Sequence, residues 1–203
     1  MISRHKKKMS GVILSGGKSL RMGENKAFIK IDGIPIIQRI VDLFQDLFQE
    51  IIIVTNQKEL YLHFDARVYT DLIPDAGALG GLYTGLFYSS FFYSFVVACD
   101  MPYLKRPVID HLTHAAEGYD VILPKTQDGL EPLHAVYSRN CIQPILGLLK
   151  ERKTRIIDFF PFVRVNVVGA QEILPLDPGM DSFINLNTPA ELIRYKKRYI
   201  PHD

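Results

Sequence analysis

The sequence predicts an α/β protein, with a mostly parallel sheet wrapped by helices on both sides. Three observations predict it. First, Glu50–Asn56 (EIIIVTN) and Ser94–Asp100 (SFVVACD) are apolar, β-branched runs without inside–outside alternation, the pattern of strands buried on both faces. Second, segments with helical periodicity separate such runs, as parallel strands require. Third, glycine, asparagine or aspartate follows directly on the strands, at Gly16 and Gly17, Asn56, Asp71, Asp100, and Asn185 or Asn187. In open α/β sheets ligands bind at the carboxyl ends of the strands.

Taken in order, the first strand is Gly11–Ser15. A helix follows Pro35, whose fixed φ suits a first helical position, and Ile36, Ile37, Ile40, Val41, Phe44, Leu47 and Phe48 share one broad face. Glu50–Asn56 is the second strand, and Ala66–Asp71 (ARVYTD) is a short one ending in an acid. A glycine loop leads to a helix near Leu82–Tyr88, then the strand Ser94–Asp100. Lys105–Gly118 reads as a helix stopped by glycine. Tyr119–Lys125 and Leu133–Ser138 are strands, Asn140–Glu151 and Thr154–Phe160 helices, and Phe162–Val168 a strand. Thr188–Tyr199 opens with a capping box, Thr188 at the cap and Glu191 three residues on, with Pro189 between.

At 203 residues the chain is long enough for one well-buried core. The expected organisation is a mobile basic extension over residues 1–8 and a single domain over residues 9–203. A net charge of +2 implies no large nucleic-acid-binding face. The basic runs at both ends read as solvated. Cys99 and Cys141 form no metal-ligand spacing and read as buried free thiols in a reducing cytoplasm. The uncharged stretch Ala76–Cys99 is long enough to cross a bilayer, but its glycines and serines and its terminal Asp100 point instead to a loop, a core helix and a central strand. No membrane partner is expected.

The stretch from Gly11 to Gly33 asks for an anionic ligand. A Walker A loop fails, because Val12 stands where its first glycine belongs. The GxGxxG fingerprint fails too, since Gly16 and Gly17 are adjacent. What remains is G-G-x-x-x-R-M-G-x-N-K, from Gly16 to Lys26. Adjacent glycines let backbone N–H groups approach phosphate oxygens. Arg21 offers a planar fork to outer phosphates, and Lys26 a point charge to the reacting one. The bland reading is a glycine-rich turn with stray cations.

With LSGGKSLRMGENK, then VTN, TDLIPDAGALGGLYTGL, VVACDMPYL, EPLHAVYS and FINLNTPAEL in that order, the chain resembles nucleotidyltransferases, and among them the molybdenum cofactor guanylyltransferase (MobA) family. The resemblance runs from Met9 to about Tyr199. It implies a three-layer α/β/α, Rossmann-like fold that binds GTP with Mg²⁺ at the strand ends. By position it implies Leu14, Ser15, Gly16 and Gly17 lining the nucleotide site, Lys26 on phosphate, Asn56 and Asp71 at the guanine end, and Asp100 as magnesium ligand, with Arg21, Lys26 and Asp100 carrying catalysis. Asn185 and Asn187 are candidates for a pterin-substrate or second-metal site. Ser15 stands where alanine is commoner, and the loop between Gly23 and Lys26 is a residue shorter than in some relatives. The basic extension lies outside the pattern.

The implied reaction is attack by the terminal phosphate of molybdopterin or Mo-molybdopterin on the α-phosphorus of GTP, with pyrophosphate leaving. Transient contact with proteins that deliver or accept the cofactor goes with it. Two anions must meet, so positioning and charge neutralisation dominate. No side-chain nucleophile is needed, because the substrate phosphate is already ionised. Asp71, or a backbone carbonyl near it, can accept from guanine N1–H and N2–H; the plain alternative is an aspartate capping a turn. His134 reads as a packed strand histidine. Competing functions are a cytidylyltransferase of the same cofactor, a sugar-phosphate nucleotidyltransferase, and a nucleotide-binding module without catalysis.

Overall fold

The computed structural model describes residues 5–16 and 25–186. Its frame is a seven-stranded sheet. In chain order the strands are β1 (Lys7–Ser15), a small β2–β3 hairpin outside the sheet (Lys30–Ile31, Ile34–Pro35), β4 (Phe48–Thr55), β5 (Arg67–Tyr69), β6 (Tyr93–Ala98), β7 (Val121–Lys125), β8 (His134–Ser138) and β9 (Val165–Gly169). The spatial order is β5-β4-β1-β6-β8-β7-β9. Pairings are parallel except around β8, which runs antiparallel to both β6 and β7. The helices are α1 (Ile36–Leu47), α2 (Gly77–Tyr88), α3 (Arg106–His114), α4 (Ile142–Lys150) and the single turn α5 (Ala170–Ile173). The expected three-layer, mostly parallel α/β/α architecture is what the chain forms.

The central strands explain why their sequences do not alternate. On β1, Ile13 joins the cluster that buries α1 and α3, while Val12 and Leu14 join the opposite cluster with α2 and α4. Both faces are covered, so every position from Met9 to Ser15 is buried. The face predicted for α1 is the buried face, including Ile36, Ile40, Phe44 and Leu47. Phe48 belongs to β4 rather than to that helix, and its ring stands edge-on to Phe44 at 5.0 Å and stacks with Phe95 at 5.9 Å.

The uncharged stretch divides into α2 and β6, as the sequence suggests. Among the described residues no helix is long and apolar enough to cross a membrane. α2 nevertheless starts at Gly77, earlier than a helix near Leu82. Gly80 and Gly81 fall in the glycine loop that the sequence suggests, yet they lie inside the helix with Gly85, and the missing side chains of Gly81 and Gly85 let α2 press onto β1. A Cβ on Gly85 would lie 2.5 Å from Val12 Cγ1.

Two boundaries differ from expectation. β1 begins at Lys7, inside the segment read as a basic extension, because Lys7 pairs with Phe48 and its Nζ bonds Asp110 of α3 at 2.9 Å. Where the sequence predicts a short helix over Thr154–Phe160, the chain forms a 3-10 stretch, Ile156–Phe162. The capping-box helix at Thr188–Tyr199 lies outside the described residues, as do residues 1–4.

The end of the sheet away from the carboxyl edges is fastened by Glu50. Its carboxylate accepts from Ser10 Oγ, from Ser90 N–H at 2.9 Å and Oγ at 2.7 Å, and from Arg67 at 2.6 Å. Those donors link β1, β4, β5 and the turn before β6. Burial pushes the Glu50 carboxyl up, but the hydrogen bonds from Ser10, Ser90 and Arg67 outweigh it, and the net position is below the ordinary 4.5.

Gly85→Ala is expected to lower stability by about 1–3 kcal/mol through overpacking, despite alanine's better helix propensity. Urea unfolding measures it, and adding Val12→Ala should recover part of the loss. For Glu50 the sign follows from the depressed folded value. Its contribution is complete above 4.5 and disappears as pH falls through that lower value. Glu50→Gln should therefore flatten the acid limb of a plot of melting temperature against pH; an unchanged limb would show that Glu50 is not an anchor.

Candidate active site

Parallel register brings the informative strand ends to one edge. Ser15 pairs with Thr55, and Leu14 with Ala98, so β1, β4 and β6 finish side by side, with β5 beyond β4. The residues that follow them, Gly16, Asn56, Asp71 and Asp100, share that edge because neighbouring strands lie only about 4.8 Å apart.

Asn56 and Asp71 form a two-point contact. Asn56 Nδ2 donates to Asp71 Oδ2 at 3.0 Å, and the Asp71 N–H donates to Asn56 Oδ1 at 3.4 Å. A Cβ on Gly16 would sit 3.7 Å from Asp71 Oδ2, and one on Gly81 would sit 3.7 Å from Oδ1 and 3.5 Å from the Leu14 side chain. The two glycines thus leave open the space around a carboxylate that Asn56 orients. Burial pushes the Asp71 carboxyl up from its ordinary range, and the Asn56 hydrogen bond only partly offsets this.

Lys26 and Asp100 meet beside this pair. Lys26 opens a one-turn 3-10 helix, Lys26–Phe28, capped by Asn25, whose Oδ1 accepts from the Ala27 N–H at 3.1 Å. Its Nζ lies 3.7 Å from Asp100 Oδ2, with each side chain 17% exposed. The Asp100 carbonyl accepts from the Leu186 N–H at 3.0 Å, which lays the segment carrying Asn185 alongside. Asn185 Nδ2 itself donates to the Phe183 carbonyl at 3.4 Å.

The Ser15 hydroxyl faces inward, onto the Tyr61 hydroxyl, so its backbone is what it can offer a ligand. Cys99 precedes Asp100 with its thiol pushed up to about 12, burial being the largest cause, and it stays protonated at neutral pH. His134 is fully buried between the rings of Phe95 and Phe183, at 5.2 Å and 4.9 Å. Burial drives its imidazole down to about 3, so it is a neutral packing residue. Gly17, Arg21 and Asn187 lie outside the described residues. Among the described residues no three His, Cys, Asp or Glu side chains gather as a metal-binding group.

Sequence reasoning missed Asn25 as a cap and Tyr61 altogether. Asn25 had a readable signal, a capping residue type directly before the lysine. Tyr61 had none.

Residues 11–160 match the model of the MobA-like NTP transferase domain. The chain belongs to that family. It is 38% identical over 185 residues to a probable molybdenum cofactor guanylyltransferase of Pelotomaculum thermopropionicum, covering 91% of this chain and 90% of the relative. It is 37% identical over 186 residues to the molybdenum cofactor guanylyltransferase of Desulfosudis oleivorans, covering 91% and 92%. The crystal structure of molybdopterin-guanine dinucleotide biosynthesis protein A from Archaeoglobus fulgidus superposes with a TM-score of 0.82 at 25% identity, over 94% of this chain and 98% of that one. As a MobA-like transferase, this chain is a nucleotidyltransferase, and the edge where Asn56, Asp71, Lys26 and Asp100 gather is its candidate active site.

Proposed function

We propose that the protein transfers GMP from GTP to the terminal phosphate of molybdopterin, or of its molybdenum-bearing form, releasing pyrophosphate and forming the guanine dinucleotide cofactor. One observation carries this reading. Lys26 and Asp100, distant in sequence, meet at the strand edge that also holds the Asn56–Asp71 pair, in a chain whose relatives are named for this transfer. In this reading the substrates are met in the cytoplasm, through transient contacts with proteins that deliver or accept the cofactor.

Asn56 and Asp71 take the guanine end, where a carboxylate accepts from N1–H and N2–H, a donor pair that cytosine lacks. Leu14, Ser15, Gly16 and Gly17 line the nucleotide along the first strand end. Lys26 and Arg21 hold phosphate, drawing negative charge off the reacting centre as the bond to pyrophosphate breaks. Asn185 and Asn187 serve the pterin substrate or a second metal. Asp100 fits a magnesium site: a single carboxylate at a buried strand end suits an ion that takes one or two protein carboxylates and completes its shell with phosphate oxygens and water. When bound there, Mg²⁺ would supply further charge neutralisation beside that of Lys26. Asp100 would hold the ion, and Lys26, whose Nζ lies 3.7 Å from Asp100 Oδ2, orients the carboxylate. The acceptor phosphate is already an anion, so the protein's task is alignment and exclusion of competing water.

Binding to the native state raises the melting temperature by mass action. GTP with Mg²⁺ should therefore stabilise the protein more than CTP, ATP or UTP does, and Asp71→Ala should erase most of the difference. Equal shifts for all four nucleotides, or a preference for CTP, would remove the guanylyl reading and leave a nucleotidyltransferase of other substrate. Asp100→Asn and Lys26→Ala should each cut pyrophosphate release by about 10²–10³ while circular dichroism stays native. Raising Mg²⁺ should partly restore Asp100→Asn and leave Lys26→Ala unchanged. Near wild-type turnover by folded Asp100→Asn at low Mg²⁺ would sink the metal assignment.

A further inference from the structure

Tyr61 lies at the end of a 3-10 turn, Lys58–Tyr61, that follows β4, and its side chain is fully buried. A buried phenol needs partners, and the partners here are unusual in where they sit along the chain. Its hydroxyl meets Ser15 Oγ at the last residue of β1 and accepts from Asn25 Nδ2 at 3.0 Å. Ser15 immediately precedes the glycine-rich stretch, and Asn25 closes it. One hydroxyl therefore joins the two ends of the segment that begins with Gly16 and delivers Lys26. Burial pushes the phenol above its ordinary 10.0, so it stays protonated at neutral pH and can donate as well as accept.

The second half of the joint leads to the lysine. Asn25 uses Nδ2 on Tyr61 and on Gln57 Oε1, at 2.8 Å, and Oδ1 to cap the turn that starts with Lys26. The Phe28 ring, on the same turn, packs against the Tyr61 ring at 5.2 Å. The backbone of Lys26 is thus held on both sides by groups anchored to Tyr61.

We propose that Tyr61 is a positioning residue for nucleotidyl transfer. It makes no contact with substrate; its hydroxyl ties the first strand end to Asn25 and so sets where the Lys26 ammonium meets phosphate. The inference rests on the reading of Lys26 as the phosphate contact. Misplacement of about 1 Å at a reacting centre can cost on the order of 10²-fold in rate, so a single hydroxyl that fixes both ends of the segment is worth more to turnover than to folding.

Tyr61→Phe keeps the ring and removes only the hydroxyl. The expected result is a fall in kcat/KM for GTP of about 10–100-fold, mostly in kcat, with a small drop in melting temperature. Tyr93→Phe is the control: Tyr93 opens β6 at the opposite end of the sheet, and its hydroxyl donates to the Tyr119 carbonyl at 3.2 Å. It should keep full turnover. The deciding measurement is the double variant. Tyr61→Phe added to Lys26→Ala should cause little further loss, because both act through the same contact. Full additivity, or a Tyr61→Phe whose kinetics match wild type, would overturn the positioning role. Should Tyr61→Phe fail to fold, Asn25→Ala breaks the same joint from the other side and faces the same criteria. A wild-type protein that neither binds nor turns over a nucleoside triphosphate would overturn the functional reading and this proposal together, whereas normal wild-type turnover with an unaffected variant would overturn this proposal alone.

Discussion

Everything at the candidate site depends on β1 being gripped from both sides in parallel. Its register with β4 and with β6 sends three strands toward the same edge and stops them within a residue or two of each other. Asn56 lies level with Gly16 because Ser15 pairs with Thr55. Asp100 comes near Lys26 because Leu14 pairs with Ala98, and the Cys99 N–H, donating to the Leu14 carbonyl at 3.0 Å, extends that pairing one step further. A one-residue slip in either pairing would turn core residues such as Val12 and Ile13 to the wrong face. The hydrophobic requirement that sets the register therefore also sets the chemistry at its end.

Close packing on the α2 face reinforces this. Gly81 and Gly85 let α2 lie close against the Leu14 and Val12 side chains of β1, and that approach brings Gly81 near the Asp71 carboxylate. Glu50 acts at the other pole, gathering β1, β4, β5 and the turn before β6 around one buried charge. The edge of the candidate site is lined with glycine and oriented polar side chains, while the opposite pole is closed by a satisfied carboxylate.

The sequence disclosed the architecture where burial and periodicity speak together. Central strands lacked alternation because both faces are covered, and α1 showed a complete apolar face because it packs on one side only. Site candidates were legible wherever a polar residue follows such a strand, as at Asn56, Asp71 and Asp100. What stayed hidden needs knowledge of the third dimension. Gly81 has two readings, loop or tight helix contact, and only the position of Leu14 decides between them. Lys7 looked like part of a tail, since neither its partner Asp110 nor its pairing with Phe48 can be seen along the chain. Glu50 was one polar letter at the start of an apolar run, and Tyr61 one aromatic among many. Both matter through contacts with residues far away in sequence.

The long reach of the β1–β6 pairing has an entropic consequence. β1, β4 and β5 come from the first third of the chain and can associate through comparatively local contacts. Closing β6 against β1 must first organise the intervening segment that contains all of α1, β4 and α2, and loop-closure entropy grows with that length before any non-local contact compensates. Asp100 rides on β6, whereas Lys26 belongs to the early half. The native juxtaposition of carboxylate and ammonium therefore rests on a long-range closure, whose entropy cost the β1–β6 pairing has to offset.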